Sequence, residues 1–229
     1  MPIYFPTLTS IDIAETRRYA GLAKKPDFQT TMLEAICFEA QLLATPRASW
    51  SIYPYDSCRG LILSQPKLEL TGKSIKKHLT AAVDIAVLSV TVGEKIEQTV
   101  TDYFGQGRYT EALLLDAAAT TAVEMAADQI NSIIVQEAQK NGLTAISRFS
   151  PGYDDWNITV QPTILQLSQG ETIGITTTSS CMLIPRKSIT AVIGLLPTDV
   201  KPNPPEHNNH NCQSCSQDDC SFRKESIND

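Results

Sequence analysis

The segment SRFSPGYDDW, residues 147–156, is the stretch around which the rest of the chain is arranged. An apolar run from Leu143 to Ile146 precedes it, and a helix-like segment from about Thr159 to Leu167 follows it. Proline fixes φ and glycine tolerates a positive φ, so Pro151-Gly152 predicts a tight turn. The sequence therefore predicts a strand, a turn and the start of a helix.

The residues around this turn are of the types that bind small ligands. The guanidinium of Arg148 can grip a carboxylate through two parallel hydrogen bonds. Gly152 lets backbone amides approach a ligand closely, and the face of Tyr153 can receive a cation or a flat ring. These groups match a ligand with a carboxylate, a positive centre and a heterocycle. Taken alone, the segment also fits an ordinary strand-to-helix turn that carries a surface arginine.

Two motifs together resemble one known family. The pattern Arg-x-x-x-Gly-Tyr, at Arg148, Gly152 and Tyr153, resembles the S-adenosylmethionine-binding signature of the activation domain of cobalamin-dependent methionine synthase. A second block, TTSSCMLIPRKSI at residues 177–189, is similar to another recurring block of that family. In order and spacing the two blocks resemble its free-standing members more than the domain fused to the full enzyme. The likeness is weak at the N-terminal end and good over residues 115–195.

The resemblance implies a fold and a binding site. The fold is α+β, a single activation-domain-like body of helices and a mostly antiparallel sheet over residues 1–196, followed by a cysteine-rich tail over residues 197–229. Two acidic residues fall in a helix that closes over the methionine end of the ligand. The residues implied to bind S-adenosylmethionine are Arg148, Ser150, Gly152, Tyr153, Asp116 and Glu124.

The longest predicted helix runs from about Arg108 to Gln139 and stops at Asn141-Gly142, a common C-terminal signal. Within it Asp116 and Glu124 recur at i and i+8, which keeps them on roughly one side. A solvated acidic stripe explains this spacing as well as a ligand site does. Its predicted apolar face consists of Leu115, Ala118, Ala122, Ala126, Ile130 and Ile133.

Hydrophobic periodicity predicts the remaining elements. Helices are expected at residues 10–22 with Ser10 as N-cap, 30–43, 71–82 and 95–104, and strands at 48–63, 68–70, 85–92, 171–178, 182–184 and 189–195. Gly72-Lys73-Ser74 is similar to the end of a phosphate-binding loop, but Lys67 stands where that loop needs its first glycine. His78 is expected on a solvated face without a role. The basic turn at residues 185–188 faces either a corrinoid, an acidic partner surface or solvent.

Composition predicts a soluble globular protein. The chain has 229 residues, of which 42% are hydrophobic and 19% charged, and a net charge of −6. The negative charge disfavours nucleic acid and anionic membranes as partners. The sequence has no apolar run of membrane-spanning length and no N-terminal secretion signal, so a reducing cytoplasm is the expected location.

Three of the six cysteines lie in the last twenty residues, after a proline-rich linker. Thiolates at Cys212, Cys215 and Cys220 can converge on one metal, with His207, His210 or an external group as the fourth ligand. An iron–sulfur cluster is the first expectation, zinc the second and a tail without a function the third.

The resemblance implies a reactivation protein that binds S-adenosylmethionine and supports reductive methylation of cob(II)alamin. The chain lacks the Asp-x-His-x-x-Gly motif that ligates cobalt, so cobalamin is expected in trans, on a methionine synthase or another corrinoid protein. The protein would then be one component of a methyltransferase system of methionine biosynthesis, supplied by an electron donor. The alternatives are a non-catalytic chaperone for a corrinoid protein and an iron–sulfur electron-delivery module.

Overall fold

The computed structural model describes residues 3–25 and 28–200. The helices of this part of the chain are α1 Ile13–Tyr19, α2 Thr30–Leu43, α3 Lys73–His78, α4 Lys95–Gly105, α5 Tyr109–Lys140 and α6 Gln161–Ser168. The strands are β1 Arg47–Asp56, β2 Leu61–Ile62, β3 Leu68–Glu69, β4 Asp84–Thr91, β5 Leu143–Ala145, β6 Thr176–Thr177, β7 Leu183–Ile184 and β8 Ser188–Pro197. The predicted α+β class is confirmed.

The main sheet has the strand order β3-β2-β1-β4-β8-β5, and each neighbouring pair is antiparallel. Strand β4 lies near its middle, with Leu88 opposite Trp50 on one side and Ala191 on the other. The β-branched, apolar sequence of β4 predicted a central strand, which is confirmed. Strands β6 and β7 form a separate two-stranded sheet.

Helices cover both faces of the main sheet. Because side chains alternate along a strand, Leu88 and Val90 pack into the core on one face with α1, α2, α4 and α5. Ile85 and Val87 point to the other face and pack with residues of α3 and α6. Trp156, which is 1% exposed, belongs to this second core.

Three predicted helices differ in detail in the structure. Helix α1 begins at Ile13 and is capped by Asp12, whose Oδ1 accepts the amide of Glu15 at 3.0 Å, so Ser10 is not its cap. Helix α3 ends at His78, short of the expected residue 82. The core face of α5 passes through Ile134, which is fully buried, and not through Ile133, which is 36% exposed.

The strand predicted at residues 171–178 is largely wrong. Gly170–Ile173 forms a 3-10 helix, and strand geometry is confined to Thr176–Thr177. A Cβ on Gly170 would lie 2.8 Å from Ser89 Oγ, so the backbone here packs against β4 too closely for a side chain. Gly174 then turns the chain with φ +86°. This close packing overrides the alternating pattern.

Some predictions lie beyond the described residues. Cys212, Cys215 and Cys220 are outside them, and the division between body and tail at residue 197 remains a prediction. None of the helices in residues 3–25 and 28–200 is long and apolar enough to cross a membrane.

Candidate functional site

The predicted turn is present and its outer face is open. The amide of Tyr153 donates to the carbonyl of Ser150 at 3.1 Å, and Gly152 has φ +91°. Pro151 before a positive-φ glycine makes this a type II turn. The Gly152 amide donates to the carbonyl of Trp156 at 2.7 Å. A Cβ on Gly152 would meet no atom within 4 Å, so there is room at the backbone for a ligand.

Strand β8 holds the segment that leads into the turn. Phe149 and Val192 exchange amide–carbonyl hydrogen bonds of 2.9 Å in both directions, and the Ile146 amide donates to the carbonyl of Gly194 at 3.0 Å. The ring of Phe149 lies 6.0 Å from that of buried Trp156. Arg148 is therefore fixed between two residues anchored to the sheet.

Arg148 points back to helix α5. Its Nη2 lies 3.1 Å from Glu124 Oε2 and 2.8 Å from Asp128 Oδ1, and its side chain is 20% exposed. Its Nη1 is buried and has no hydrogen-bond partner among the described residues. A buried donor without an acceptor costs about 1–3 kcal/mol. An unsatisfied guanidinium nitrogen on the residue that leads into the turn is suited to donate a hydrogen bond to an anionic ligand group.

Glu124 on α5 carries a negative charge that acts on two other segments of the protein. Burial raises the pKa of Tyr19, at the end of α1, and of Tyr153 in the turn, and the negative charge of Glu124 raises both further. Both phenols therefore stay neutral and keep their protons at physiological pH. The guanidinium of Arg18 lies 4.0 Å over the ring of Tyr19. The Glu124 carboxylate, 37% exposed, thus pairs with Arg148, and its charge acts on tyrosines of α1 and of the turn.

Asp116, two turns before Glu124 on α5, has a different partner. Lys187 Nζ lies 2.9 Å from Asp116 Oδ1 and donates to Thr120 Oγ1 at 2.8 Å, and the lysine side chain is only 15% exposed. Arg186, beside it, pairs with Glu97 of α4 at 3.1 Å. The acids on this side of α5 are thus bound to basic residues rather than forming a stripe of solvated charges. Both cations of the 185–188 turn have acidic partners within the protein.

Nothing in the sequence indicated a role for His78, which is half-buried in the structure. Its Nε2 is 2.9 Å from the carbonyl of Ser147, and its ring lies 5.2 Å from Phe149. Burial lowers its pKa despite the bond to that carbonyl, so the neutral form donates Nε2–H. His78 therefore attaches α3 to the segment that carries Arg148. The partners lie 69 residues apart, and no local pattern reveals the contact.

A phosphate-binding loop would hold a phosphate at the start of α3, and in this protein the carboxylate of Asp155 lies there. Its carboxylate accepts the amides of Lys73 and Ser74 at 2.7 and 3.0 Å. These two bonds lower the pKa of the Asp155 carboxyl. The amides at the start of α3 therefore already have an acceptor within the protein. Like the missing first glycine at Lys67, this disfavours a nucleotide-binding loop at this position.

The metal prediction gains no support from the described residues. In residues 3–25 and 28–200 no three His, Cys, Asp or Glu side chains are grouped in a way that could hold a metal ion. Cys37, Cys58 and Cys181 are free thiols. The proposed tail ligands lie outside these ranges.

No protein-family profile and no curated protein matches this chain. Among solved structures it is similar to the crystal structure of the MetH reactivation domain bound to AdoHcy. The two share 15% sequence identity with a TM-score of 0.56, and the match covers 88% of this chain and 80% of that chain. This chain therefore has the fold of the MetH reactivation domain, as the resemblance of its two motifs predicted.

Proposed function

We propose that this protein binds S-adenosylmethionine at the Arg148–Tyr153 turn and acts as a reactivation protein for a separate corrinoid protein. The observation that carries the proposal is the buried Nη1 of Arg148, a donor without an acceptor among the described residues, on a residue four positions before Gly152, whose outer side is open. The fold supports it, because the similar MetH reactivation domain was crystallised with AdoHcy, the product that remains when S-adenosylmethionine gives up its methyl group.

The charges around Arg148 complement this ligand. Glu124 and Asp128 together with one guanidinium leave the cluster with a net negative charge. S-adenosylmethionine carries one carboxylate and two cationic centres, the ammonium and the sulfonium. Arg148 would bind the carboxylate, and Glu124 would attract the cations because opposite charges favour each other most where solvent is partly excluded. Gly152 leaves space for the ligand beside the backbone, and the neutral phenol of Tyr153 offers an aromatic face and a polar tip.

Asp116 has a different place in this proposal than the sequence alone indicated. Because Lys187 neutralises it, we assign Asp116 to positioning of the 185–188 turn, and Glu124 to the ligand. Ser150, which precedes Pro151 in the turn, is also proposed to contact S-adenosylmethionine.

The proposed activity is the methylation of cob(II)alamin held by the partner. One electron and the methyl group of S-adenosylmethionine convert cob(II)alamin to methylcob(III)alamin and release AdoHcy. The contribution of this protein is to hold and orient the methyl donor and to exclude water, which accounts for much of catalysis in cofactor systems. The electron would come from a separate donor, with a cluster at Cys212, Cys215 and Cys220 as a proposed relay.

Calorimetry with S-adenosylmethionine tests the proposal directly. Binding is expected with the protein alone and is expected to tighten when a cob(II)alamin-loaded corrinoid protein is added. An unrelated protein of similar size serves as the negative control. Affinity no better than that of the control would refute the ligand. Ligand binding without methylation of the corrinoid in the presence of a reductant would favour the chaperone alternative.

A further inference from the structure

Asp128 lies one turn beyond Glu124 on α5 and binds the same nitrogen of Arg148. The distance from Nη2 is 2.8 Å to Asp128 Oδ1 and 3.1 Å to Glu124 Oε2. The Asp128 side chain is 72% exposed and that of Glu124 is 37% exposed. The shorter contact is therefore made by the more exposed of the two acids.

Asp128 can leave this contact at little cost. Solvent screens an exposed ion pair, and holding its side chains in one geometry opposes the attraction, so such pairs contribute little. Release of Asp128 frees a donor of Nη2. Nη1, its neighbour on the same edge of the guanidinium, already has no acceptor. These two nitrogens form an edge that a carboxylate can grip with two parallel bonds.

We propose that Asp128 is an internal competitor for the carboxylate of the ligand. In the protein without ligand it occupies the Nη2 donor that a ligand carboxylate takes on binding, and it then moves into solvent. Asp128 thereby sets how strongly the site selects ligands that carry a carboxylate. The inference rests on the proposed function and adds a specificity-determining residue that acts through Arg148.

The test compares S-adenosylmethionine with its decarboxylated form, which lacks only the carboxylate. The Asp128→Asn variant should bind S-adenosylmethionine more tightly relative to the decarboxylated ligand, by about three- to fivefold, the scale for releasing one exposed ion pair. Asp128→Ala, which removes the acceptor altogether, should give at least the same change. The ratio of the two dissociation constants is the readout, because loss of a negative charge alone weakens every cationic ligand.

Two controls separate competition from general charge effects. Glu137→Gln removes an acid of α5 that pairs with Lys140 at 3.1 Å and should leave the ratio unchanged. In an Arg148→Ala background, Asp128→Asn should also leave it unchanged, since the competition requires the guanidinium. Simple repulsion between Asp128 and the ligand carboxylate would persist in that background.

The outcomes distinguish the inference from the proposed function. The ratio in question is the dissociation constant of the decarboxylated ligand divided by that of S-adenosylmethionine. If Asp128→Asn raises this ratio in the native background but not in the Arg148→Ala background, the competition is supported. If the native protein binds S-adenosylmethionine but the ratio is unchanged, lowered or raised equally in both backgrounds, the competition is wrong and the proposed function stands. If neither the native protein nor the Asp128 variants bind the ligand, both are wrong.

Discussion

Replacement of Arg148 by alanine should weaken S-adenosylmethionine binding without unfolding the protein. Loss of one partner from a charged hydrogen-bonded pair costs about 2 kcal/mol or more. At about 1.4 kcal/mol per factor of ten, this corresponds to a loss of about 30-fold in affinity. The affinity of Arg148→Lys for S-adenosylmethionine should lie between those of the native protein and Arg148→Ala, because lysine keeps the charge but lacks the planar guanidinium.

The same replacement should change stability very little, for reasons visible in the structure. The ion pairs with Glu124 and Asp128 involve acids that are 37% and 72% exposed, and such pairs contribute about 0–1 kcal/mol each. Their loss is offset because alanine also removes the buried Nη1 that has no acceptor, which costs about 1–3 kcal/mol in the native protein. The free energy of unfolding should therefore fall by no more than about 1 kcal/mol.

Both quantities can be measured on the same samples. Calorimetry gives the affinity, and urea unfolding followed by tryptophan fluorescence gives the stability, with buried Trp156 beside the turn as a reporter. Arg59→Ala is the matched control, since Arg59 is 79% exposed and contacts Asp56 at 3.6 Å away from the site. Affinity within threefold of the native value would show that Arg148 is not a ligand-binding residue. A loss of stability of several kcal/mol would show that its role is structural.

Three further predictions concern other parts of the chain. Lys187→Met should lower the free energy of unfolding by about 1–2 kcal/mol, because Lys187 is largely buried and makes two contacts. Lys140→Met, which breaks an exposed ion pair, should lower it less. Urea unfolding measures both variants, and the reverse ranking would contradict the prediction. Asp155→Ala should lower the melting temperature at pH 7. The folded-state pKa of Asp155 lies below its unfolded value of about 3.9. The stabilisation by Asp155 is therefore complete above about pH 3.9 and is lost as the pH falls through the folded-state pKa. A difference in melting temperature between the variant and the native protein that stays constant with pH would refute the assignment. Cys215→Ser should abolish a metal signal in anaerobically purified protein, with iron and sulfide expected, while Cys58→Ser leaves it unchanged; native protein without metal would refute the cluster.

Local chemistry predicted much of the fold. Helix α5 and strand β4 follow from their apolar patterns, and the type II turn follows from Pro151-Gly152. The failures occurred where tertiary packing decided the outcome. Residues 171–178 alternate like a strand, but the segment begins in a 3-10 helix, Gly170–Ile173, because Gly170 has to pack against Ser89.

The sequence predicted the residues of the candidate site, which remain a proposal, but not their partners within the protein. The motif identified Arg148 and the turn, and helical spacing grouped Asp116 with Glu124. The pairing of Asp116 with Lys187, of Arg148 with Asp128 and of His78 with Ser147 joins segments far apart in sequence. Such contacts depend on how helices pack on the sheet, which no local pattern records.

Helix α5 fixes the spacing between the partners of Lys187 and Arg148. Lys187 is anchored at Asp116 and Arg148 at Glu124, eight residues further on, which is about 12 Å along the helix at about 1.5 Å per residue. One inserted residue between these anchors would lengthen the span by only about 1.5 Å, yet it would rotate one anchor by about 100° away from the other. The separation of Lys187 and Arg148 along the helix can therefore change only in steps close to a whole helical turn of about 5.4 Å.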